Sequence, residues 1–240
     1  MKRDVEIIEL PNGNELVIAV DNSGSIGMKS KDDIQVPYDV VSYYNFRVAW
    51  MECVSAGATP ISIILHNFSG DNAWPSLIQG VERGVKEVKQ ENIKITGSTE
   101  SNFVLEQSAV GLVVIGEREQ APVSQEVFLD EPDSFKVSVI GNPLVGDELL
   151  QNEDAIAPLE VFQDLADLKR VLLLPVGSKG ILYELNQIFN GQPLDVDSCL
   201  DLEKSSGPAT CFIIVYDKRL EHKIKSKCGK WLHDINLKFR

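Results

Sequence analysis

The sequence has few of the residues that build transition-metal sites or disulfide frameworks. Its 240 residues include four cysteines and three histidines. The cysteines form no Cys-x-x-Cys pair, and the histidines show no His-Glu-x-x-His spacing. These absences argue against zinc knuckles, thioredoxin-like sites and disulfide frameworks, so we expect reduced thiols. They leave open a site in which carboxylates hold a hard cation.

Long apolar runs and a basic, apolar N-terminal leader are also missing. No uninterrupted apolar stretch approaches eighteen residues, the length that begins to favour a transmembrane helix. Membrane spanning and secretion are therefore disfavoured. We expect a cytoplasmic protein with no membrane partner.

Positive charge is scarce over most of the chain. The sequence has 23 Lys and Arg against 36 Asp and Glu, a formal net charge of -13. Such a charge repels a phosphate backbone, so nucleic acid is not an expected partner. The segment 218–240 is the exception, with eight basic and two acidic residues. It is interpreted either as a basic segment packed on the acidic body or as a flap that recognises phosphate.

The first half of the chain alternates between strand and helix patterns, which predicts an α/β arrangement. Apolar runs predict strands at 16–20, 60–67, 93–96 and 108–117. Apolar residues at three- and four-residue steps predict helices from Pro37 to Gly57 and from Trp74 onward, with Pro75 in the first turn of the second helix.

The second half contains further strand and helix patterns after a segment rich in proline and polar residues. Residues 118–133 show little periodicity and predict a boundary between two domains, 1–118 and 134–240. Beyond it, "FKVSVIG", "VLLLPVG" and "ATCFIIVYD" are predicted strands. The acidic stretch 147–168 is predicted to be mostly helical, and "SKGILYELNQIF" to begin a helix.

Oxygen-bearing side chains follow several of the predicted strands. Asp21 ends the first strand, and Ser98, Thr99 and Glu100 follow the third, while Glu52 lies near the end of the first helix. Loops at the carboxyl ends of strands converge on the ligand crevice of open α/β sheets. Carboxylates and hydroxyls suit Mg²⁺, and nearby glycines let phosphate approach the backbone. The alternative is that these loops are ordinary turns.

The order of four motifs resembles one protein family. "AVDNSGSIGMK", "VAWMECVSAGATP", "ITGSTESNF" and "SAVGLVVIGE" are together similar to the aminoimidazole ribonucleotide synthetase family, or PurM-like superfamily. The resemblance covers residues 16–117, and extends more loosely through "PVGSKGILYELNQI" and "SSGPATCFII". It implies an α/β (α+β) fold, in which the N-terminal sheet pairs into a dimeric barrel and a C-terminal α/β lobe follows.

The resemblance also implies roles for individual residues. Glu52 matches a metal-binding aspartate of the family. Asp21 matches the acid that precedes the family's first glycine loop, and Lys29 matches a lysine that follows this loop. Ser98 stands where the family usually has an acid, and Glu100 follows two residues later. The expected metal ligands are Asp21, Glu52 and Glu100, and the expected catalytic residues are Lys29 and Glu100. The expected nucleotide contacts are Asp21, Asn22, Gly24, Gly27, Gly97, Ser98 and Thr99, and the substrate contacts are His66, Asn67 and Asp71.

The function implied by the resemblance is ATP- and Mg²⁺-dependent phosphoryl transfer to a small molecule by a homodimer. Only some fifteen residues precede the first predicted strand, as in a short group from Gram-positive bacteria that resembles α-ribazole kinases of cobalamin lower-ligand salvage. Two alternatives stay open: an ATP-dependent ring-closing synthetase, and a nucleotide-binding regulator without catalysis.

Overall fold

The computed structural model describes residues 4–119, 134–192 and 194–239. It contains two compact units, one within residues 4–119 and one within residues 134–239. Most of the predicted boundary segment, residues 120–133, lies outside the described residues. Both units combine a five-stranded sheet with helices, so the predicted mixed α/β fold class is confirmed.

The sheet of the N-terminal unit places its last strand in the centre. Its strands are β1 (Val5–Glu9), β2 (Glu15–Gly24), β5 (Thr59–Asn67), β6 (Lys94–Thr99) and β7 (Ala109–Arg118). A separate parallel pair of two-residue strands, β3 (Ile26–Gly27) and β4 (Ile34–Gln35), forms in the loop after β2. The order across the sheet is β1-β2-β7-β5-β6. All neighbours are antiparallel except β5 and β6. The sheet is therefore mixed.

Two helices cover one face of this sheet. Helix α1 (Tyr38–Ser55) begins after Pro37, and α2 (Trp74–Glu87) has proline in its first turn, where a missing backbone N–H costs nothing. The helices pack closely because Gly84 of α2 lies against the Phe46 ring. Between helices and sheet lie fully buried side chains, among them Val17, Ala19, Leu65, Leu112, Val114 and Trp50.

The other face of the sheet is also apolar. Side chains alternate along a strand, so the even-numbered residues of β2 point away from the helices. Val20 is 55% exposed and Ile8 of β1 is 43% exposed on this face. Leu16, which pairs with Ile8, and Val113, which pairs with Val20, are only partly buried, as is Ile18 on the same face. The face is thus apolar without being fully covered in the single chain.

The C-terminal unit is built on an antiparallel sheet. Its strands are β8 (Phe135–Ile140), β9 (Val171–Pro175), β10 (Leu194–Asp197), β11 (Phe212–Asp217) and β12 (Leu232–Phe239), in the order β10-β12-β8-β11-β9. Its helices are α3 (Glu148–Gln151), α4 (Leu159–Ala166), α5 (Gly180–Ile188) and α6 (Glu221–Cys228). Ile181, Leu185 and Ile188 of α5 belong to the core beside Val139 and Ile213 of the sheet.

The structure adds elements that the sequence did not predict. Strand β1 precedes the predicted first strand, because Val5 to Glu9 pair with β2 through a turn in which Gly13 has a φ of 87°. The acidic stretch 147–168 is mostly helical, as predicted, and is divided into short helices, since Pro158 caps α4 and cannot continue a helix from the preceding turn. Strands β10 and β12 were not predicted.

The basic C-terminal segment packs on acidic residues of its own unit. Lys227 Nζ lies 2.6 Å from Asp164 Oδ2, and Lys230 Nζ lies 3.1 Å from Asp154 Oδ2. These pairs agree with the packing interpretation of the segment. In the part of the chain that the structure describes, none of the helices combines the length and apolar character needed to cross a membrane.

Candidate functional site

Three strand ends lie at one edge of the N-terminal sheet. Gly24, the last residue of β2, pairs with Ala109, the first residue of β7. Asn67, at the end of β5, pairs with Val110 of β7 and with Thr99 at the end of β6. The loops after β2, β5 and β6 therefore start along a single line. The three loops start at the same edge although the sheet is mixed, because β2, β5 and β6 run in one direction and only β7, between β2 and β5, separates them in the opposite direction.

The alternation of side chains divides the predicted site residues between the two faces of the sheet. On the helix-covered side lie Asp21, Asn67, Gly97 and Thr99, and on the open side lie Asn22, His66 and Ser98. His66 and Asn22 are exposed, whereas Asn67 is 1% exposed. Ligand groups at the edge of the sheet can therefore meet polar atoms from both faces.

A cleft of about 380 Å³ lies at this edge. Its lining residues are Asp71, Trp74, Gly97, Ser98 and Thr99. The structure thus brings together the predicted loop 97–99 and the predicted substrate residue Asp71. Trp74 was not among the predicted site residues. The feature that could have indicated Trp74 is its position in "DNAWPS", directly before the helix-starting Pro75 and shortly after the strand that ends at Asn67.

Gly97 shapes the floor of this cleft. A Cβ atom at this position would lie 2.9 Å from Cη2 of Trp74 and would also meet the backbone of Leu65. Such a separation is closer than a carbon contact allows. The absence of a side chain at Gly97 therefore lets the indole ring lie directly against the strand.

Asn67 ties the loops together. Its Nδ2 donates to the carbonyl oxygen of Gly70 at 2.9 Å and to Thr99 Oγ1 at 3.1 Å, and its Oδ1 accepts from the backbone N–H of Ser69 at 2.8 Å. These bonds occupy a buried amide, whose polar atoms would be costly to leave unsatisfied. The geometry gives Asn67 a role in holding the loop after β5 against the end of β6.

Asp21 is a partly buried carboxyl on the helix-covered side. Burial raises its pKa to about 7, while a hydrogen bond from the backbone of Asn22 acts in the opposite direction. Two residues further along β2, Ser23 Oγ accepts a hydrogen bond from Asn45 Nδ2 of α1 at 3.4 Å. A cation placed beside Asp21 would favour its charged form.

Glu52 lies on the last turn of α1, away from the edge where the loops start. The neighbouring Cys53 packs on Gly116, where an added Cβ would be 2.6 Å from the Cys53 sulfur. Gly116 pairs with Val17, four residues before Asp21, which is roughly 13 Å along a strand. Across the described ranges, no three His, Cys, Asp or Glu side chains gather closely enough to hold a metal ion.

Glu100 caps its own turn. Its Oε1 accepts from the backbone N–H groups of Asn102 at 2.7 Å and of Phe103 at 3.2 Å. Its own N–H donates to the carbonyl oxygen of Asn67 at 2.8 Å, which continues the pairing of β5 and β6 by one residue. The carboxylate therefore has a local structural role in addition to any ligand that it contacts.

Lys29 joins the glycine-rich loop to the loop before β7. Its Nζ donates to the carbonyl oxygens of Leu105 at 2.8 Å and of Gln107 at 3.3 Å. Gly27 lies buried in the same loop, where a Cβ would be 2.7 Å from Cε1 of Tyr38. The charge of Lys29 is thus held at the edge where Gly24 and Thr99 end their strands.

Solved structures of known proteins have a similar fold. The chain is similar to HypE in a HypE–HypF complex, with a TM-score of 0.64 and 15% identity over 99% of this chain and 88% of that chain. It is also similar to thiamine monophosphate kinase from Aquifex aeolicus, with a TM-score of 0.62 and 11% identity over 98% and 88% of the two chains. The chain has a PurM-like fold. A third PurM-like match is T. maritima PurL complexed with ATP, with a TM-score of 0.58 and 12% identity over 98% of this chain and 42% of that one.

Sequence comparison adds no closer relative. No protein-family model matches the chain, and no curated protein matches it. Because the identities to the PurM-like structures are low, the likeness establishes the fold alone.

Proposed function

We propose that this chain is an ATP- and Mg²⁺-dependent enzyme that transfers a phosphoryl group to a small molecule. The observation that carries the proposal is the single edge of the N-terminal sheet at which β2, β5 and β6 end, with the cleft at Asp71 and Trp74 beside it. The PurM-like neighbours include a kinase and proteins solved with ATP or an ATP analogue, which supports the same reaction type.

The donor atoms at this edge fit Mg²⁺ bound together with a nucleotide. Mg²⁺ typically takes one or two protein carboxylates and completes its coordination with water and substrate phosphates, so a cage of three acids is not required. Asp21 is the first candidate ligand because it lies on β2 three residues before this edge, and a bound cation would favour its charged form against the burial that raises its pKa to about 7. Glu100 is the second. Glu52, the third ligand that the resemblance implies, lies on the last turn of α1 away from this edge, so we do not include it in the proposed set. Mg²⁺ would neutralise charge on the phosphates.

The chain's own residues would bind and orient the nucleotide. Gly24, Gly27 and Gly97 offer backbone that phosphate can approach, and the hydroxyls of Ser98 and Thr99 offer further donors. Asn22 on the open side completes the nucleotide contacts. Lys29 would balance negative charge during transfer. Catalysis of this kind depends on positioning and charge neutralisation, which side chains fixed at strand ends can supply.

The acceptor is proposed to bind near His66, Asn67 and Asp71. Asp71 lines the cleft, and the exposed His66 pairs in register with Ser98, which also lines it, so both side chains are candidates to contact the acceptor. The first acceptor to test is α-ribazole, because the motif order resembles the short α-ribazole kinase-like group. Thiamine monophosphate and formylglycinamidine ribonucleotide represent the other reactions of the resembled superfamily.

The test is release of ADP from Mg·ATP in the presence of each acceptor. Phosphoryl transfer predicts ADP release that depends on both Mg²⁺ and one acceptor, together with a phosphorylated product of matching mass. Release with formylglycinamidine ribonucleotide accompanied by ring closure would instead identify a synthetase. No ADP release with any acceptor, despite Mg·ATP binding, would contradict the enzyme proposal for these substrates.

A nucleotide-binding regulator is the second candidate function. One observation favours it: the Glu100 carboxylate already accepts two backbone hydrogen bonds in its own turn, and Ser98 replaces the usual acid. A protein of this kind would bind Mg·ATP and turn it over with none of the acceptors. Calorimetric titration of ATP with and without Mg²⁺, beside the ADP assay, separates the two functions.

We also propose that the chain forms a homodimer through the open face of the N-terminal sheet. That face carries Ile8, Ile18, Val20 and Val113, and Val20 is 55% exposed. Apolar surface of this kind is stabilised by a partner, and a twofold axis lets the same face cover itself. The implied arrangement is a barrel made from two sheets.

A further inference from the structure

The glycine-rich loop after β2 is anchored by one buried carboxylate. Asp32 is 8% exposed. Its Oδ1 accepts from the backbone N–H of Ser108 at 2.6 Å, and its Oδ2 accepts from Ser108 Oγ at 2.7 Å and from the backbone N–H of Lys29 at 2.9 Å. A single side chain therefore connects the loop after β2 with the residue that precedes β7.

Other hydrogen bonds repeat the same connection. The backbone N–H of Ser25 donates to the carbonyl oxygen of Ser108 at 2.9 Å, and Gln107 Nε2 donates to the carbonyl oxygen of Lys31 at 2.8 Å. The two lysine contacts described above, from Lys29 Nζ to the chain at 105 and 107, lie beside them. The loop after β2 and the loop before β7 are thus joined along much of their length. Asp32 is the buried side chain among those that join them.

The charge of Asp32 suits this position. Burial acts to raise its pKa, but the hydrogen bonds from Ser108 and from the Lys29 backbone outweigh it, so the pKa is lowered. The ionised carboxylate presents acceptors to all three donors, and charge-assisted bonds of this kind are the stronger ones. An asparagine would turn an amide N–H₂ toward at least one N–H donor, and an alanine would leave buried donors unsatisfied.

Ser108, once fixed by Asp32, limits the path of the glycine-rich loop. A Cβ at Gly27 would lie 2.5 Å from Ser108 Oγ and 2.7 Å from Cε1 of Tyr38. The Tyr38 hydroxyl and Ser108 Oγ are themselves 2.9 Å apart. Ser108 and Tyr38 therefore form a wall behind Gly27, and the loop passes this wall without a side chain.

We infer that Asp32 is a positioning residue for nucleotide binding: it holds residues 24–29 against Ser108 in one conformation, so that the phosphate-binding backbone is ordered before ATP arrives. This inference rests on the proposed function. Asp32 does not itself contact the ligand and acts through Gly24, Gly27 and Lys29. A preordered loop pays less conformational entropy on binding than a mobile one.

The test compares Asp32→Ala and Asp32→Asn with Asp33→Asn in the full-length chain. Asp33 is the adjacent acid and is exposed, so it is a matched control for loss of charge in the same loop. Mg·ATP affinity is measured by calorimetry, KM and kcat by ADP release, and folding by thermal melting. Asp32→Ala should raise Kd and KM for Mg·ATP about ten-fold or more while kcat stays within about three-fold, the pattern of lost uniform binding.

Asp32→Asn should raise Kd and KM for Mg·ATP less than Asp32→Ala does, because the Oδ1 atom of the asparagine still accepts from the Ser108 N–H. Asp33→Asn should match the wild type. A purely structural role predicts a lower melting temperature with unchanged Kd in the folded fraction, and that result would overturn the inference. An equal rise in Asp33→Asn would overturn it as well. If Asp32→Ala does not fold, Asp32→Asn decides the question.

Hydrogen exchange supplies a readout that needs no ligand. The amides of Lys29 and Ser25 should exchange faster in Asp32→Asn than in the wild type. The Lys29 N–H loses its acceptor, Asp32 Oδ2, and the Ser25 N–H bonds to the carbonyl oxygen of Ser108, which Asp32 holds in place. Unchanged exchange would refute the anchoring role. A wild-type chain that binds no Mg·ATP would overturn the proposed function, whereas wild-type binding with unaltered affinity in Asp32→Ala would overturn this inference alone.

Discussion

Asp21 is a carboxyl group whose burial keeps it partly protonated near neutral pH, with a pKa of about 7. In the unfolded chain an aspartate has a pKa near 3.9, so between about pH 4 and pH 7 the folded state binds more protons than the unfolded state. The free energy of unfolding contributed by this group therefore falls as the pH rises through that window. Above the window the loss is complete.

Asp21→Asn should remove this pH dependence. We expect the variant to be more stable than the wild type at about pH 8 by roughly 1 kcal/mol or more, with the difference shrinking toward about pH 4. Urea unfolding at several pH values measures it, with the exposed Asp33→Asn as control. Parallel stability curves for Asp21→Asn and wild type would contradict the burial of this carboxyl.

Glu100 offers a second test at the level of one residue. Glu100→Gln keeps an oxygen that can accept from Asn102 and Phe103, so the free energy of unfolding should stay within about 0.5 kcal/mol of the wild type. It removes the charge that Mg²⁺ prefers, so Mg·ATP affinity should fall about ten-fold, or roughly 1.4 kcal/mol. Calorimetry measures the affinity, and urea unfolding measures the stability. Unaltered Mg·ATP affinity would mean that Glu100 only stabilises its own turn and does not bind Mg²⁺.

At the scale of the element, the glycines of β6 and β7 differ in what surrounds them. A Cβ at Gly97 would meet the Leu65 backbone and the Trp74 ring, whereas a Cβ at Gly111 would have only His66 Cβ near it, at an ordinary 3.6 Å. Gly97→Ala should therefore separate β6 from β5 or displace α2. The same change at Gly111 should be accommodated.

We predict that Gly97→Ala destabilises the chain by about 2 kcal/mol and weakens Mg·ATP binding, because overpacking of this kind typically costs 1–3 kcal/mol. Gly111→Ala is the matched control and should stay within about 0.5 kcal/mol of the wild type. Thermal melting and calorimetry make both comparisons. Equal stability of the two variants would show that the cleft can relax around an added methyl group.

Elements with strong local signals were predictable from the sequence, and elements that depend on distant partners were not. Apolar runs indicated β2, β5, β6 and β7, and the prolines at 37 and 75 marked both long helices. Strands β10 and β12 were missed, since each has polar residues on one side and is fixed by pairing with the other across the chain. Single-sequence periodicity contains little information about such pairing.

The candidate site was predictable in its loops and less so in its contacts. The sequence placed polar residues after β2, β5 and β6, and the register brings those ends together. It did not indicate Trp74, whose role depends on the missing side chain of Gly97. Nor did it indicate that Lys29 bonds to the carbonyls of Leu105 and Gln107, because hydrogen bonds between loops depend on tertiary geometry.

At the scale of the whole molecule, the open sheet face predicts the assembly. Val20→Glu places a charge in the proposed interface and should convert a dimer of about twice the 26.6 kDa chain mass into a monomer. Leu150→Glu is a matched control, since Leu150 is 48% exposed in α3 of the other unit. Light scattering distinguishes the two masses. A wild-type monomer, or a Val20→Glu dimer, would contradict this interface.

The central position of β7 affects how the N-terminal unit is made on the ribosome. β7 is the last strand of that sheet to be synthesised, yet it lies between β2 and β5 and pairs with both. Until residue 118 has left the exit tunnel, two apolar strands have open edges and α1 has an incomplete surface to pack on. Such non-local pairing is slow and leaves apolar surface exposed to aggregation. The nascent chain should therefore need chaperone protection up to that point and lose the need soon after it.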